Sequence, residues 1–357
     1  MHKKYFTPGP SGLYYTVEQH VKQALRTGIA SISHRGSEFE GIYKQVDSNL
    51  RNLLNLPDNY KILFTTSATE VWNLTTESLV TEKSAHIVNG AFSEKFYRVV
   101  NNSDKAALLI QSEWGEFPEI DYKLIKQADH IAITHNETST GVSTPLDTIY
   151  KIREANPEAI ISIDAVSSLP YLAIDYTKID ALYTSVQKCF GLPAGLGIWL
   201  VNDRCINKAE IVNQKITGLK SHHNLLALVK QAEKFQTVST PNVLSIYLLA
   251  QVTSDMLNRG INLIRSEMKY KSAIFYKMIE NHSKLHAFVR DKSLRSDTII
   301  VLNTNEHTDD LITFLERKKL IIGTGYGKMK NTQTRIANFP THSKEQFEML
   351  SDLLETW

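Results

Sequence analysis

At 357 residues, with 42% apolar and 22% charged side chains, the chain is long enough for two domains and for a core that buries roughly three quarters of the unfolded surface. Its 40 basic and 38 acidic residues leave a formal charge of +2 with both signs interspersed, which gives no electrostatic footprint for nucleic acid or an anionic membrane. Two cysteines, Cys189 and Cys205, argue against a disulfide scaffold. With no apolar leader after His2-Lys3-Lys4 and no run near the roughly 18 apolar residues of a membrane span, a cytoplasmic location is expected.

The first 15 residues carry Pro8, Gly9, Pro10 and Gly12 and read as an extended N-terminal arm. From Lys61 onward short apolar runs alternate with helical patterns. Strands are expected at Ile62–Thr65, Ala85–Val88, Ala107–Ile110, Ile131–Thr134, Ile160–Asp164, Ala181–Thr184 and Gly197–Val201. Amphipathic stretches such as Leu146–Ala155, closed by Asn156-Pro157, lie between them. The alternation predicts an α/β fold with a mostly parallel central sheet, whose ligands gather at the carboxyl ends of the strands. Residues 16–245 read as this large domain.

After Pro241 the texture changes. One helical face carries Ile246, Leu249, Ala250, Thr253 and Leu257, and breaks near Gly260; a second carries Ile264, Met268, Ile274, Phe275 and Met278. A strand at Thr298–Leu302 and a helix around Asp309–Lys318 follow. A capping-box pattern, Ser343-Lys344-Glu345-Gln346, then precedes Phe347, Leu350, Leu353 and Leu354 at helical spacing. Residues 246–357 therefore read as a smaller C-terminal α/β domain. The basic stretch from Lys269 to Arg295 reads as a solvated helix face.

The residue that points most directly to chemistry is Lys188. It follows the strand-like run ending Tyr183-Thr184-Ser185 and is walled in by Phe190, Gly191, Pro193 and Leu196. An ammonium that loses water shifts its pKa down from about 10.4, and a neutral amine attacks an aldehyde. Asp164 closes the buried strand Ile160-Ile161-Ser162-Ile163. A lysine for a Schiff base and an aspartate for a pyridinium nitrogen are the two groups that pyridoxal phosphate asks of a protein. Ser67, Ala68 and Thr69 lie where a strand runs into a helix, either as a plain N-cap or as a phosphate cradle. Asn136 and Thr138 either bond the cofactor's phenolic oxygen or a substrate carboxylate, or form a turn before the helix near Pro145. Phe92, after Asn89-Gly90, is either core or a flat surface for a pyridine ring. His34-Arg35 and Arg335 are anion anchors or structural ion pairs. No metal is called for.

These residues resemble class V pyridoxal-phosphate aminotransferases along nearly the whole chain. Ile32-Ser33-His34-Arg35, Asn49-Leu50-Arg51-Asn52-Leu53-Leu54 and Pro57-Asp58-Asn59-Tyr60-Lys61 look like the phosphoserine aminotransferase branch. Glu137-Thr138-Ser139-Thr140-Gly141-Val142 and Asp164-Ala165-Val166-Ser167-Ser168-Leu169 look more like the serine/alanine–glyoxylate branch. Gln187-Lys188 and Ser239-Thr240-Pro241 are similar to motifs in both.

The resemblance implies a fold-type-I homodimer with two shared active sites, with phosphoserine:2-oxoglutarate transamination in serine biosynthesis favoured and serine or alanine transamination with glyoxylate or pyruvate as the alternative. It assigns Lys188 to the Schiff base, Asp164 to the pyridinium nitrogen, Thr138 to the phenolic oxygen and Phe92 to ring stacking. Ala68, Thr69 and Gln187 fall at cofactor-phosphate positions, joined by Ser239 and Thr240 from the partner. His34 and Arg35 match a substrate-phosphate pair, and Arg335 matches the α-carboxylate arginine. Two departures stand out: Glu70-Val71-Trp72 where phosphoserine aminotransferases usually carry an arginine, and Gly323-Thr324-Gly325-Tyr326-Gly327 in place of their Gly-His-Arg. A cysteine desulfurase on the same fold would need a nucleophilic cysteine on a mobile loop, and Cys189 and Cys205 are badly placed. A non-catalytic ligand-binding module would leave Lys188, Asp164 and Arg335 unexplained.

Overall fold

The apolar runs assemble into two sheets, one for each half of the sequence pattern. The computed structural model describes residues 3–215 and 221–357. In chain order, β1 (Lys4–Phe6) leads to α1 (Val17–Arg26) and α2 (Ser37–Leu54). Then β2 (Tyr60–Thr65), α3 (Ala68–Leu79), β3 (Lys83–Val88), α4 (Ala91–Asn101), β4 (Ala106–Gln111), α5 (Tyr122–Ile125) and β5 (His130–Thr134) alternate. A small hairpin follows, β6 (Asn136–Glu137) with β7 (Val142–Ser143), and then α6 (Leu146–Ala155) and β8 (Ile160–Asp164). The first half closes with β9 (Ala181–Ser185), β10 (Gly197–Asn202), α7 (Asp203–Lys215) and α8 (Leu225–Ala232).

Seven of these strands form one sheet in the order β2-β10-β9-β8-β5-β3-β4. All run parallel except β10, which is antiparallel to both of its neighbours. A sheet covered by helices on both faces needs apolar residues on both, which is why β8 and β9 are buried at every position. The expected strands are all present, extended by a residue or two where the register continues. Strand β2, for example, starts at Tyr60, paired with Asn202.

The second half contains α9 (Val243–Arg259), α10 (Ile261–Ile279), β11 (His286–Ala287), β12 (Ile299–Asn303), α11 (Thr308–Arg317), β13 (Leu320–Thr324), β14 (Gln333–Ala337) and α12 (Lys344–Glu355). Its sheet has the order β1-β13-β14-β12-β11. The capping box forms as expected: Ser343 Oγ accepts from the Gln346 N–H, and the Gln346 side chain returns to the Ser343 N–H.

Three features differ from the sequence reading. The N-terminal arm is tied down, because β1 pairs in parallel with β13 and Phe6 is fully buried against Phe347 and His342. Helix α9 packs its apolar face, including Ile246, Leu249 and Met256, into the core of the seven-stranded sheet. Helix α10 bridges the two cores, with Ile264 and Met268 in the first and Phe275 and Ile279 in the second. Finally, the basic stretch is not wholly solvated. Lys271 is buried, and its ammonium donates to the carbonyls of His342 at 2.8 Å and Phe339 at 3.2 Å.

Several histidines are core residues. Ser84 Oγ bridges His86 and His130 across β3 and β5, and His130 continues to Ser162 Oγ on β8 at 2.8 Å. Burial pushes the imidazoles of His130 and His342 down to about 3 and that of His135 down to about 4, so all three are neutral in the fold. Unfolding returns each to about 6.5 and lets it bind a proton. The unfolded state therefore gains protons first. Stability from these groups is complete above pH 6.5 and falls as pH drops toward 4, by about 2 kcal/mol per histidine at pH 5. The expected result is a urea midpoint that falls steadily between pH 7 and pH 5; a flat midpoint across that range contradicts it.

Candidate active site

Parallel strands bring their carboxyl ends to one edge, and the polar residues that follow them meet there. Asp164 ends β8, Thr138 sits in the hairpin after β5, the Ser67–Thr69 turn follows β2, and Lys188 follows β9. They enclose a cavity of about 200 Å³. A larger cleft of about 580 Å³, with Arg265, Lys269 and Arg295 on its walls, lies on the other side of Asn136. Lys188 and Asp164 face the smaller cavity, so that is where the chemistry is to be sought.

Lys188 is 7% exposed. Its Nζ donates to Thr138 Oγ1 at 2.7 Å and lies 5.3 Å from the centroid of the Phe92 ring. Burial pulls its pKa down to about 8, with the Asp164 charge opposing that fall. Asp164 accepts from the Val166 N–H at 3.0 Å and is also met by the Tyr183 hydroxyl, and burial pushes its carboxyl up to about 7. A carboxylate in that position is short of a cation.

Ser67 caps α3, its Oγ accepting from the Glu70 N–H at 3.3 Å, so the cap reading is correct for that side chain. Ala68 and Thr69, one step on, line the cavity from the first helical turn. The Ala68 N–H donates to Ser185 Oγ at 2.8 Å. Gln187 also lines the cavity, and its buried amide oxygen has no partner. Arg335 reaches in from β14. Its Nε donates to the Thr324 carbonyl at 2.8 Å and its Nη1 to the Thr138 carbonyl at 3.3 Å, while burial lowers its pKa to about 10.

Four expected residues are not in the walls of this cavity. Arg35 is exposed and donates to Gln236 at 2.9 Å, Gln231 at 3.2 Å and the Val238 carbonyl at 3.3 Å. His34 precedes it, and the exposed Ser239 and Thr240 follow Val238, so the four share one surface. Conversely, the sequence reading missed Pro8 and Gly9, which line the cavity. Gly9 has φ +137°, and a Cβ there would sit 2.8 Å from Lys188 Cε. The Pro8-Gly9-Pro10 punctuation was the available signal. Trp72, Ser185 and Tyr326 are further wall residues, with Trp72 held by a 3.0 Å bond from its Nε1 to the Tyr183 hydroxyl.

Residues 6–331 match the family model for class V aminotransferases. The chain belongs to that family. Phosphoserine aminotransferases of Rhodococcus opacus and Corynebacterium glutamicum are each 28% identical to this class V chain, covering 92% and 93% of it and 88% and 89% of their own lengths. A crystal structure of a phosphoserine aminotransferase from Cytophaga hutchinsonii is 44% identical over 99% of this chain and 98% of that one, with a TM-score of 0.95. An alanine–glyoxylate aminotransferase from Nostoc shares the fold, with a TM-score of 0.86 at 19% identity over the whole of this chain and 95% of its own.

Class V aminotransferases work with pyridoxal phosphate, and the residues of this cavity fit that group: a buried carboxylate short of a cation, an unpartnered buried amide and a desolvated lysine. Lys188→Ala is expected to fold but to lose borohydride trapping of the cofactor on the Lys188 peptide. Gly9→Ala forces a methyl group onto the lysine in a positive-φ position, a strain of about 1–3 kcal/mol. Cofactor affinity is expected to fall about tenfold or more, measured by fluorescence titration. Wild-type trapping in Lys188→Ala refutes the assignment of this lysine.

Proposed function

We propose that the chain is a phosphoserine:2-oxoglutarate aminotransferase that works with pyridoxal phosphate as a homodimer. The observation that carries this reading is the 44% identity over 99% of the chain to the Cytophaga enzyme, together with Lys188, Asp164 and Arg335 facing one cavity. The first turn of α3 (Ala68, Thr69) and Gln187 would hold the cofactor's phosphate, Phe92 would lie on its ring, Thr138 would bond its phenolic oxygen, and Asp164 would keep its ring nitrogen protonated. When bound, the cofactor supplies an electron sink that makes the amino acid's Cα–H acidic.

The chain's own residues do the rest. Lys188, poised near pH 8, takes the proton from Cα, and a base matched to the working pH does this best. Arg335, fixed at Thr324 and at Thr138, offers its remaining N–H groups to the α-carboxylate. Phe92, Trp72 and Tyr326 wall the cavity against water.

The exposed Arg35, Ser239 and Thr240 and the half-buried His34 lie outside the walls of the chain's own cavity, which supports a shared site in which they serve a second copy. The alternative donor, serine or alanine with glyoxylate, has one observation in its favour. Glu70, standing where an arginine is usual, is committed to Thr66 and His223 rather than to an anion.

Removing a buried partner of a charged group costs about 2–5 kcal/mol, or about thirtyfold to several thousandfold in kcat/KM. Arg335→Ala should impair phosphoserine and alanine turnover alike by that factor; Arg35→Ala should impair phosphoserine turnover only. Preference of the unmutated enzyme for alanine with glyoxylate overturns the phosphoserine reading. Mixing Lys188→Ala with Thr240→Val protomers should restore one intact site per heterodimer, and failure to recover activity argues against shared sites.

A further inference from the structure

Glu137 is fully buried in the hairpin strand β6, and the chemistry above gives it no task. Its Oε2 accepts from the Ser93 N–H at 2.9 Å, Ser93 Oγ at 3.0 Å and the Phe92 N–H at 3.2 Å. Its Oε1 accepts from Ser139 Oγ at 2.7 Å and the Ser139 N–H at 3.1 Å. Both oxygens face backbone N–H groups, which can only donate.

Helix α4 has Gly90 at its N-cap position and no side-chain cap of its own. The carboxylate from β6 does that work from another element, at the helix end where a negative charge is favoured. The approach is close enough that a Cβ on Gly90 would lie 2.4 Å from Glu137 Cγ.

The two segments that Glu137 ties together each carry a residue on Lys188. Helix α4 presents Phe92, 5.3 Å from Nζ at its ring centroid, and the hairpin presents Thr138, 2.7 Å from Nζ. We infer that Glu137 is a positioning residue: one buried carboxylate, bonded to the first turn of α4 and to the Ser139 backbone, sets the separation of Phe92 and Thr138 across Lys188. Its charge also acts on the lysine. Asp164 and Glu137 favour the protonated amine, while Arg335 opposes it.

The inference rests on the transaminase reading only for the role of Lys188, and three of its measurements need no amino donor. The variant Glu137→Gln keeps the shape, removes the charge and sets an amide NH2 against donors. In the full chain without cofactor, amide exchange at Phe92, Ser93 and Ser139 should accelerate about tenfold or more. In the holoenzyme, pyridoxal phosphate should bind about tenfold more weakly. The pH midpoint of its visible absorbance change should move down by about one unit, since loss of a negative charge disfavours the protonated nitrogen. With whichever donor the enzyme uses, kcat should fall with KM nearly unchanged.

If Glu137→Gln fails to fold, Ser93→Ala removes one hydroxyl donor to Glu137 Oε2, and faster exchange at Ser139 with weaker cofactor binding is then the expected pair. Unchanged exchange in a folded variant overturns the inference. So does faster exchange with absorbance midpoint, cofactor affinity and kcat all as in the unmutated enzyme, which is the behaviour of a plain helix cap. A failure to use phosphoserine touches none of these readouts.

Discussion

A lysine nitrogen that has lost nearly all its water is the constraint around which this molecule is arranged. Bare burial would suppress the ammonium, and full hydration would leave an amine too rarely neutral to attack. Lys188 sits between these limits because one hydroxyl, one aromatic face and the charge of Asp164 replace part of what water supplied. The replacements come from three places in the chain, the hairpin, α4 and the end of β8, and the N-terminal segment closes over the lysine's carbon chain. Parallel strands are what allow such distant pieces to end at one point. The single antiparallel strand, β10, interrupts that pattern beside β9.

Arg335 makes the second sheet part of the same electrostatic problem. Its guanidinium is bonded to Thr324 in its own sheet and to Thr138 in the hairpin, so the two halves are joined by a cation that an arriving carboxylate will also seek. Two anionic side chains, Asp164 and Glu137, and two cationic ones, Lys188 and Arg335, act on one another there. The amine and α-carboxylate of an amino acid add one charge of each sign to that set, and any further anionic group on the donor has to be met elsewhere.

The sequence made the large sheet and the lysine–aspartate pair legible, because both signals are local. Ile160–Asp164 is an unbroken apolar run ending in a carboxylate, and Lys188 stands in a Gly/Pro frame directly after a strand. What stayed hidden depends on partners far away in the chain. The apolar spacing of α9 announces a packed face without naming the sheet that receives it. Lys271 reads as a solvated charge until the carbonyls of Phe339 and His342 are seen around it. Glu137 could not be singled out because its partners are mostly backbone N–H groups, which leave no trace in the residue pattern. His34 and Arg35 were visible as candidate anion anchors, but their place outside the walls of the chain's own cavity is a matter of geometry.

The pairing of β1 with β13 has a consequence for how the protein comes into being. Lys4 faces Leu320, so β1 waits for a strand made long after it. Until then the second sheet lacks an edge, and Pro8 and Gly9 have no fixed place over Lys188. The strands of the seven-stranded sheet all lie before Asp203, and its core closes once α9 has followed them. The reactive amine is therefore made well before the β13 and β14 segments that bring Tyr326 and Arg335 to its cavity, which confines a fully walled pocket to chains in which β14 has been synthesised.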